Sequence, residues 1–87
     1  MSDQNELFSK ASAAAKSLPD RPDNETLLQL YALYKQGSEG DISGEKPGFF
    51  DFVGVAKYEA WEALQGTTCD EAQEQYVNLV RKLGGDV

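Results

Sequence analysis

Two lysines in this acidic chain stand one helical turn away from aromatic residues. Tyr31 precedes Lys35 by four positions, and Lys57 precedes Trp61 by four. Residues four apart lie on one face of a helix, so each ammonium group is expected beside a ring. Such a lysine either extends its methylenes over the ring with its charge in water, or helps to hold an anion whose flat or apolar part rests on the aromatics. Two such pairs flanking one glycine-rich segment favour the anionic ligand.

The chain lacks most of the residues that enzymes and metal sites use. It contains no histidine, which removes Ser-His and Cys-His nucleophile pairs and histidine metal clusters. Its single cysteine excludes an intramolecular disulfide and any paired-cysteine zinc site. The segment from Gly40 resembles a phosphate loop, but the spacing is one residue short and Pro47 replaces the Ser or Thr. Asp41 begins like a calcium loop, but Phe52 stands where the bidentate Glu belongs. The sequence therefore predicts no metal, no cofactor and no catalysis.

The overall charge excludes several classes of partner. Fifteen acidic residues against eight basic ones give a net charge of −7, which opposes binding to DNA, RNA or an anionic membrane surface. The N-terminus is polar, and no stretch approaches the roughly 20 apolar residues of a membrane span. We expect a soluble cytoplasmic protein.

A small anionic ligand remains compatible with this charge. A lysine about 4 Å from a phosphate contributes up to about 4 kcal/mol at an effective dielectric constant near 20. A surface carboxylate about 15 Å away costs only about 0.3 kcal/mol, and less once salt screens it. The local arrangement of lysines thus outweighs the net charge.

Helical periodicity in four segments predicts a single all-α domain over residues 1–87. The segments cover about 3–18, 24–37, 51–65 and 68–83, and no segment has the pattern of a strand. The first has capping-box spacing at Asp3 and Glu6 and an apolar face of Leu7, Phe8, Ala11, Ala14, Ala15 and Leu18. The glycine-rich residues 37–50 are predicted to form a long ordered loop, which is typical of a crossover or a functional loop.

The ends of the helices have recognisable signals. Asp23 or Asn24 is predicted to cap the second helix, and Gly37 and Gly40 to end it. Two overlapping capping boxes, Thr67 with Asp70 and Thr68 with Glu71, begin the fourth helix. Its apolar stripe consists of Cys69, Ala72, Tyr76, Leu79, Val80 and Leu83. On this stripe the thiol of Cys69 is predicted to be a packed, unreactive side chain.

The segment "YALYKQGSEGDISGEKPGFFDFVGVAKYEAW", from Tyr31 to Trp61, resembles the acyl-CoA-binding protein family, also called diazepam-binding inhibitor. Leu64, Gly66 and Thr67 continue the match, which covers essentially the whole chain. The resemblance implies a four-helix bundle with up-down-down-up topology and a long overhand loop between the second and third helices. It also implies a protein that binds long-chain acyl-CoA thioesters without turning them over.

Carried over by position, the resemblance implies that Tyr31, Lys35 and Lys57 hold the ribose 3′-phosphate and neighbouring groups of CoA. Lys16 and Tyr76 should add contacts from the first and last helices. By helical geometry alone, Lys16 lies about 140° from the apolar face and would be a solvated lysine. Tyr76 would be a core residue, but its ring can pack while its hydroxyl faces the ligand.

Three further positions follow from the same resemblance. Tyr34, inside the tyrosine motif, is expected to contact the ligand while partly belonging to the core. Val53 and Val55 stand where many relatives carry lysines, so contacts made there by lysines are missing. The residues implied to pack the terminal helices together are Phe8, Leu18, Tyr76, Val77, Val80 and Leu83.

The hypothesis from the sequence is a monomeric carrier whose partners are long-chain acyl-CoA and, transiently, acyl-CoA-using enzymes or membranes. The alternative is a helical protein-interaction or peptide-signalling module without a small ligand. A thioesterase or CoA isomerase ranks last, because nothing supplies a base beside a nucleophile.

Overall fold

The computed structural model describes residues 3–87, which form four α-helices and no strand. The helices are α1 (Asp3–Ala14, extended by a 3₁₀ turn at Ala15–Ser17), α2 (Asn24–Glu39), α3 (Phe52–Glu62) and α4 (Cys69–Lys82). The predicted all-α class is confirmed. No helix in this part of the chain combines the length and the apolar composition that crossing a membrane requires.

The direction of each helix follows from its contacts with α2. Trp61, near the end of α3, donates a hydrogen bond to the carbonyl of Gly40 just after α2 (2.9 Å), so α2 and α3 run parallel. On α4, Gln73 donates to the Gly37 carbonyl (2.9 Å) and Tyr76 contacts Tyr34, so α4 runs antiparallel to α2.

Helix α1 also runs antiparallel to α2. The ring of Phe8 stacks on Tyr34, whereas Ala15 and Leu27 line the same pocket. Together these contacts give the predicted up-down-down-up order.

The parallel pair α2 and α3 requires a long connection. Helix α3 ends beside the end of α2, and its 11 residues make it about 16 Å long. The chain must cover that distance in reverse between Gly40 and Asp51, and its eleven steps reach about 36 Å when extended. The overhand loop is thus about twice as long as the direct path.

One hydrophobic core joins α1, α2 and α4. Phe8 contacts both Tyr34 (ring centroids 5.4 Å apart) and Tyr76 (5.3 Å). The buried members of this core are Phe8, Ala11, Leu30, Leu33, Ala72, Tyr76, Val77 and Val80, with Leu18 and Leu83 packed against them. The six residues implied to join the terminal helices are therefore all at this core.

Side-chain caps define where three helices begin. Asp23 accepts a hydrogen bond from the Thr26 amide (2.8 Å) and begins α2, and Asp51 accepts one from the Gly54 amide (3.0 Å) and begins α3. Of the two capping boxes considered for α4, the one between Thr68 and Glu71 forms. The side chain of Asp3, and with it the capping box predicted there, lies outside the described part of the chain.

Helix α2 continues through Gly37, contrary to the prediction that this glycine helps to end it. Gly37 is buried, and a Cβ atom there would lie 3.0 Å from Cγ of Gln73 and 3.1 Å from Cζ of Phe8. Close packing of three helices therefore favours glycine at this position, and it overrides the low helix propensity. The helix ends at Gly40, whose φ of 84° favours glycine. The loop consequently spans 40–51, not 37–50, and α3 ends at Glu62, three residues earlier than predicted.

The prediction that Cys69 packs as a core residue is wrong, because its side chain is exposed. Cys69 is the first residue of α4 and lies beside the end of α2, where its sulfur is 4.0 Å from the position that a Cβ atom would take at Gly40. A glycine has no side chain to cover the thiol. Helical spacing places residue 69 on the apolar stripe but does not show that the stripe extends beyond the neighbouring helix.

Polar contacts hold both the first and the second half of the overhand loop against the helices. Asp41 accepts hydrogen bonds from the Gln36 side chain (2.9 Å) and from the Gly66 amide (2.9 Å), which ties the loop to the connection before α4. Lys46 forms an ion pair with Glu59 on α3 (2.9 Å). The loop is therefore ordered by polar contacts rather than by apolar burial.

We expect the Asp41→Asn variant to melt a few degrees below the parent protein at pH 7, and we expect this difference to shrink as the pH falls below about 4. The Gly66 amide and the Gln36 side chain hold the pKa of Asp41 below its usual value. A lowered pKa in the folded state means that this stabilisation is present above about pH 4 and disappears as Asp41 is protonated. Thermal unfolding followed by circular dichroism between pH 2.5 and 7 measures it. A melting difference that persists at low pH would contradict this account.

Candidate functional site

Two lysines lie over aromatic rings, and each pair joins α2 to α3. The ammonium nitrogen of Lys35 on α2 is 5.0 Å from the ring centroid of Trp61 on α3. The ammonium nitrogen of Lys57 on α3 is 5.1 Å from the ring centroid of Tyr31 on α2. The sequence predicted pairs within each helix, and this assignment of partners is wrong. The two lysines nevertheless lie on one side of the α2–α3 pair. The helices run parallel, and in both pairs the residue on α3 follows the residue on α2 by the same number of positions.

A concave surface beside these pairs is lined by three tyrosines, and we call it the tyrosine pocket. Residues of α1, α2 and α4 and of the 3₁₀ turn form it: Ser12, Ala15, Lys16, Leu27, Leu30, Tyr31, Tyr34 and Tyr76. Its side chains combine ring faces, hydroxyl groups and an ammonium group. Such a surface can stack a flat heterocycle and neutralise a phosphate attached to it.

Lys16 lies in the 3₁₀ turn that follows α1, and it lines this pocket. From an uninterrupted helix we predicted that Lys16 points about 140° away from the apolar face. Helix α1 instead ends at Ala14, and the three following residues form a 3₁₀ turn with about 120° per residue. Lys16 nevertheless lines the pocket with Ser12 and Ala15, because its long side chain can reach the pocket from outside the apolar face. Pro19, which follows shortly after, is the signal in the sequence that the regular helix had to end.

A second depression, which we call the apolar groove, lies between the first turns of α2 and α3. Its lining residues are Arg21, Asn24, Leu27, Leu28, Phe52, Val53, Ala56 and Lys57. The groove has a volume of about 530 Å³, within the range of about 300–1,000 Å³ typical of small-molecule sites. Most of its surface is hydrocarbon, and the charged groups belong to Arg21 and Lys57. It fits an apolar chain that carries an anionic group.

The pocket and the groove adjoin each other. Leu27 lines both, and Lys57 lines the groove while its ammonium group lies over Tyr31 in the pocket. A ligand with an anionic aromatic part and an aliphatic part could therefore occupy both surfaces at once.

Two titratable groups at this site, the Lys35 ammonium group and the Tyr76 hydroxyl, have raised pKa values. Lys35 donates a hydrogen bond to Glu39 one turn later on α2, and this bond raises the pKa of the lysine. Lys35 is therefore fully protonated at neutral pH. Burial raises the pKa of the Tyr76 hydroxyl, although a hydrogen bond with Ser12 opposes the shift. Tyr76 accordingly stays neutral and can donate a proton in a hydrogen bond.

The structure brings together all six residues singled out from the sequence. Lys16, Tyr31, Tyr34 and Tyr76 line the tyrosine pocket, and Lys35 and Lys57 lie over rings at its edge. Sequence reasoning missed Ser12 and Arg21 and gave no residues for the groove. Ser12 stands four residues after Phe8 and four before Lys16, a spacing that could have indicated it. Arg21 lies between two prolines in a connection, where periodicity gives no signal.

No cluster of three or more candidate metal ligands occurs among the side chains that the structure describes. The arrangement found here is one for binding by stacking, ion pairing and apolar contact.

Comparison with known proteins identifies the family. The family model described as "Acyl CoA binding protein" matches residues 5–80. The chain belongs to the acyl-CoA-binding protein family. The acyl-CoA-binding protein homolog 1 of Caenorhabditis elegans is 49% identical over 76 residues, which cover 87% of this chain and 88% of the relative. The acyl-CoA-binding protein of Saccharomyces cerevisiae is 44% identical over 78 residues, which cover 90% of each chain.

A solved structure supports the same assignment. The crystal structure of acyl-CoA-binding protein 2 from Oryza sativa superimposes with a TM-score of 0.88 at 38% sequence identity, covering 92% of this chain and 89% of that one. The tyrosine pocket and the apolar groove therefore lie on an acyl-CoA-binding fold. The family that the sequence resembled, and the four-helix architecture that the resemblance implied, are confirmed.

Proposed function

We propose that this protein binds long-chain acyl-CoA thioesters and carries them through the cytoplasm as a monomer. The nucleotide part of CoA occupies the tyrosine pocket, and the acyl chain lies in the apolar groove. The observation that carries the proposal is the pair of lysines over rings, Lys57 over Tyr31 where the two surfaces adjoin and Lys35 over Trp61 farther along α2 and α3.

Each site residue has a distinct proposed role. Tyr31 and Tyr34 present aromatic surface to the adenine, and Lys35 and Lys57 bind the ribose 3′-phosphate and neighbouring phosphates. Lys16 approaches the same anion from the side of α1, and the Tyr76 hydroxyl donates a hydrogen bond. The net charge of −7 does not prevent this, because the lysines act at contact distance while most carboxylates are distant and screened.

A fluorescence titration with palmitoyl-CoA tests the proposal. Lys35 lies 5.0 Å from the ring of Trp61, and its movement towards a phosphate changes the field at the indole. We expect a saturable change in tryptophan emission with one equivalent of ligand. A protein-interaction module would give no saturable change, and that result would contradict the proposal.

The bound thioester is proposed to remain intact. No histidine is present in the chain, and burial raises the pKa of the Tyr76 hydroxyl, which makes it a poor nucleophile. Incubation with palmitoyl-CoA and a thiol reagent should release free CoA no faster than buffer does. Faster release would indicate a thioesterase.

We expect Glu39→Gln to increase the affinity for palmitoyl-CoA by about two- to fivefold. Glu39 holds Lys35 in an exposed ion pair, and such pairs contribute about 0.2–1 kcal/mol. A phosphate must displace this carboxylate, so removing its charge frees the lysine. Calorimetric titration measures the change. Glu74→Gln, an equal charge change at an exposed position of α4, is the control, and an equal gain in that variant would show a general charge effect.

A further inference from the structure

Four large apolar side chains of one short segment are exposed to solvent. The exposed fractions are 74% for Phe49, 80% for Phe50, 76% for Phe52 and 65% for Val53. The rings of Phe49 and Phe50 contact each other, with centroids 4.3 Å apart. We call these four residues the apolar tip. Contiguous exposed apolar surface of this kind usually marks a site of contact with a partner.

The apolar tip is an ordered part of the fold. The Asp51 amide donates to the carbonyl of Gly48 (2.8 Å), and the Asp51 side chain accepts from the Gly54 amide (3.0 Å). The first half of the tip is therefore a turn and the second half is the first turn of α3. The aromatic rings therefore project from a hydrogen-bonded turn and from the first turn of α3.

The apolar tip is continuous with the apolar groove. Phe52 and Val53 belong to both, so the groove opens beside the segment that carries Phe49 and Phe50. A hydrocarbon chain entering or leaving the groove at this end would move along apolar side chains rather than through water.

The charges on this side of the molecule select the kind of surface that the tip can contact. The one charged residue inside the segment is Asp51, which is engaged as the cap of α3, and Lys46 on the loop is paired with Glu59. Arg21 and Lys57 line the adjoining groove, and residues 49–53 include no lysine or arginine. Because the tip has no cation to contact an anionic headgroup, the net charge of −7 is not offset there, and it opposes both an anionic lipid surface and a second copy. An electrically neutral surface carries no such penalty. Aromatic side chains are also the residues favoured at the boundary between lipid headgroups and hydrocarbon.

We propose that the apolar tip inserts into the interface of an electrically neutral lipid bilayer, with the open end of the apolar groove facing the acyl chains. Contact with the bilayer follows from the tip alone. The passage of an acyl chain between bilayer and groove rests on the proposed function. The contact is peripheral, with the helices remaining outside the hydrocarbon.

A site-specific fluorophore can locate the contact. The environment-sensitive dye NBD is attached to the variant Phe50→Cys, Cys69→Ser, and in a second sample to the native Cys69. Cys69 is exposed and lies beside Gly40, at the opposite end of α2 from the groove. On addition of phosphatidylcholine vesicles, we expect the emission at position 50 to rise and shift to the blue, and the emission at position 69 to stay constant.

Vesicle flotation with unlabelled protein gives an independent measurement. The variant Phe49→Ser, Phe50→Ser should lower the partition coefficient onto phosphatidylcholine vesicles by about tenfold or more, because two apolar rings are lost. The variant Phe49→Leu, Phe50→Leu keeps most of the apolar surface and should stay within about threefold of the parent. Neither residue lines the tyrosine pocket or the groove, so both variants should bind palmitoyl-CoA in solution like the parent protein.

Several results would overturn the proposal. These are an unchanged dye signal at position 50, an equal change at position 69, equal flotation of the serine and parent proteins, or binding only to vesicles that contain phosphatidylserine. Capture of a protein through the tip without any vesicle binding would overturn it as well. Loss of palmitoyl-CoA binding with intact vesicle contact would instead refute the proposed function and leave the tip assigned to the bilayer.

Discussion

Palmitoyl-CoA should bind this protein about 1,000-fold more tightly than acetyl-CoA. The groove between α2 and α3 is lined mainly by apolar side chains, and its volume of about 530 Å³ accommodates an extended aliphatic segment. If it covers about ten methylene groups and removes roughly half of each from water, burial contributes about 4 kcal/mol at about 0.8 kcal/mol per fully buried methylene. That free energy corresponds to about three powers of ten in affinity. Immobilising the chain offsets part of it, and full burial would add to it.

Calorimetric titrations with acetyl-, octanoyl-, dodecanoyl- and palmitoyl-CoA measure this dependence. Affinity should rise steadily with each pair of carbon atoms and level off once the groove is filled. The heat capacity change of binding should become more negative along the series, since apolar surface is being buried. Free palmitate serves as the control, because it brings the same chain without the nucleotide and should bind far more weakly. Equal affinity for acetyl- and palmitoyl-CoA would show that the groove holds no acyl chain.

The helices themselves could be predicted closely from the sequence, because their signals are local. Asp23, Asp51 and Thr68 cap the helices at or within one residue of the predicted starts. The errors arose where a neighbouring helix decides the outcome. Gly37 is a residue type that often ends a helix, yet it lies inside α2, where Phe8 and Gln73 pack closely and leave little room for a side chain. Cys69 has helical spacing on the apolar stripe, yet nothing covers it.

The site shows the same division between local and tertiary information. The sequence indicated that Lys35 and Lys57 lie on aromatic faces of their helices, and this is confirmed. It could not indicate which ring each lysine meets, because that depends on the relative register of α2 and α3. The residues of the apolar groove were not predicted for a similar reason. Leu27, Leu28 and Ala56 are apolar and are expected in the core from the sequence. The way in which the two helices pack leaves their side chains partly exposed in the groove.

Each lysine lies over a ring of the other helix, and replacing either lysine should weaken ligand binding. Replacing Lys57 by Ala should weaken palmitoyl-CoA binding by about 10- to 100-fold, and replacing Lys35 by Ala should do the same. A charge-assisted hydrogen bond contributes about 1.5–3 kcal/mol, and each lysine is held over a ring of the other helix at about 5 Å. Replacing Lys57 should cause the larger loss of affinity, since this lysine lines the groove as well as the proposed phosphate site. Lys35 is paired with Glu39 and must leave that carboxylate before it can bind the phosphate.

Lys82→Ala provides the matched control. Lys82 is an exposed lysine in the last turn of α4, and its loss changes the net charge by the same amount. Affinity in this variant should stay within about twofold of the parent, because a surface charge beyond a Debye length of about 8 Å is largely screened. An equal loss in all three variants would mean that binding responds to total charge and not to a phosphate site.

A ligand lacking the 3′-phosphate separates a direct contact from an indirect one. If Lys35 and Lys57 bind that phosphate, their replacement should cost much less with palmitoyl-dephospho-CoA than with palmitoyl-CoA, and the difference is the coupling between lysine and phosphate. If the lysines only hold Trp61 and Tyr31 in place, both ligands should lose affinity equally, because that effect does not depend on the phosphate. The two explanations thus predict different results in the same titration, and high salt should reduce the effect only when the contact is direct.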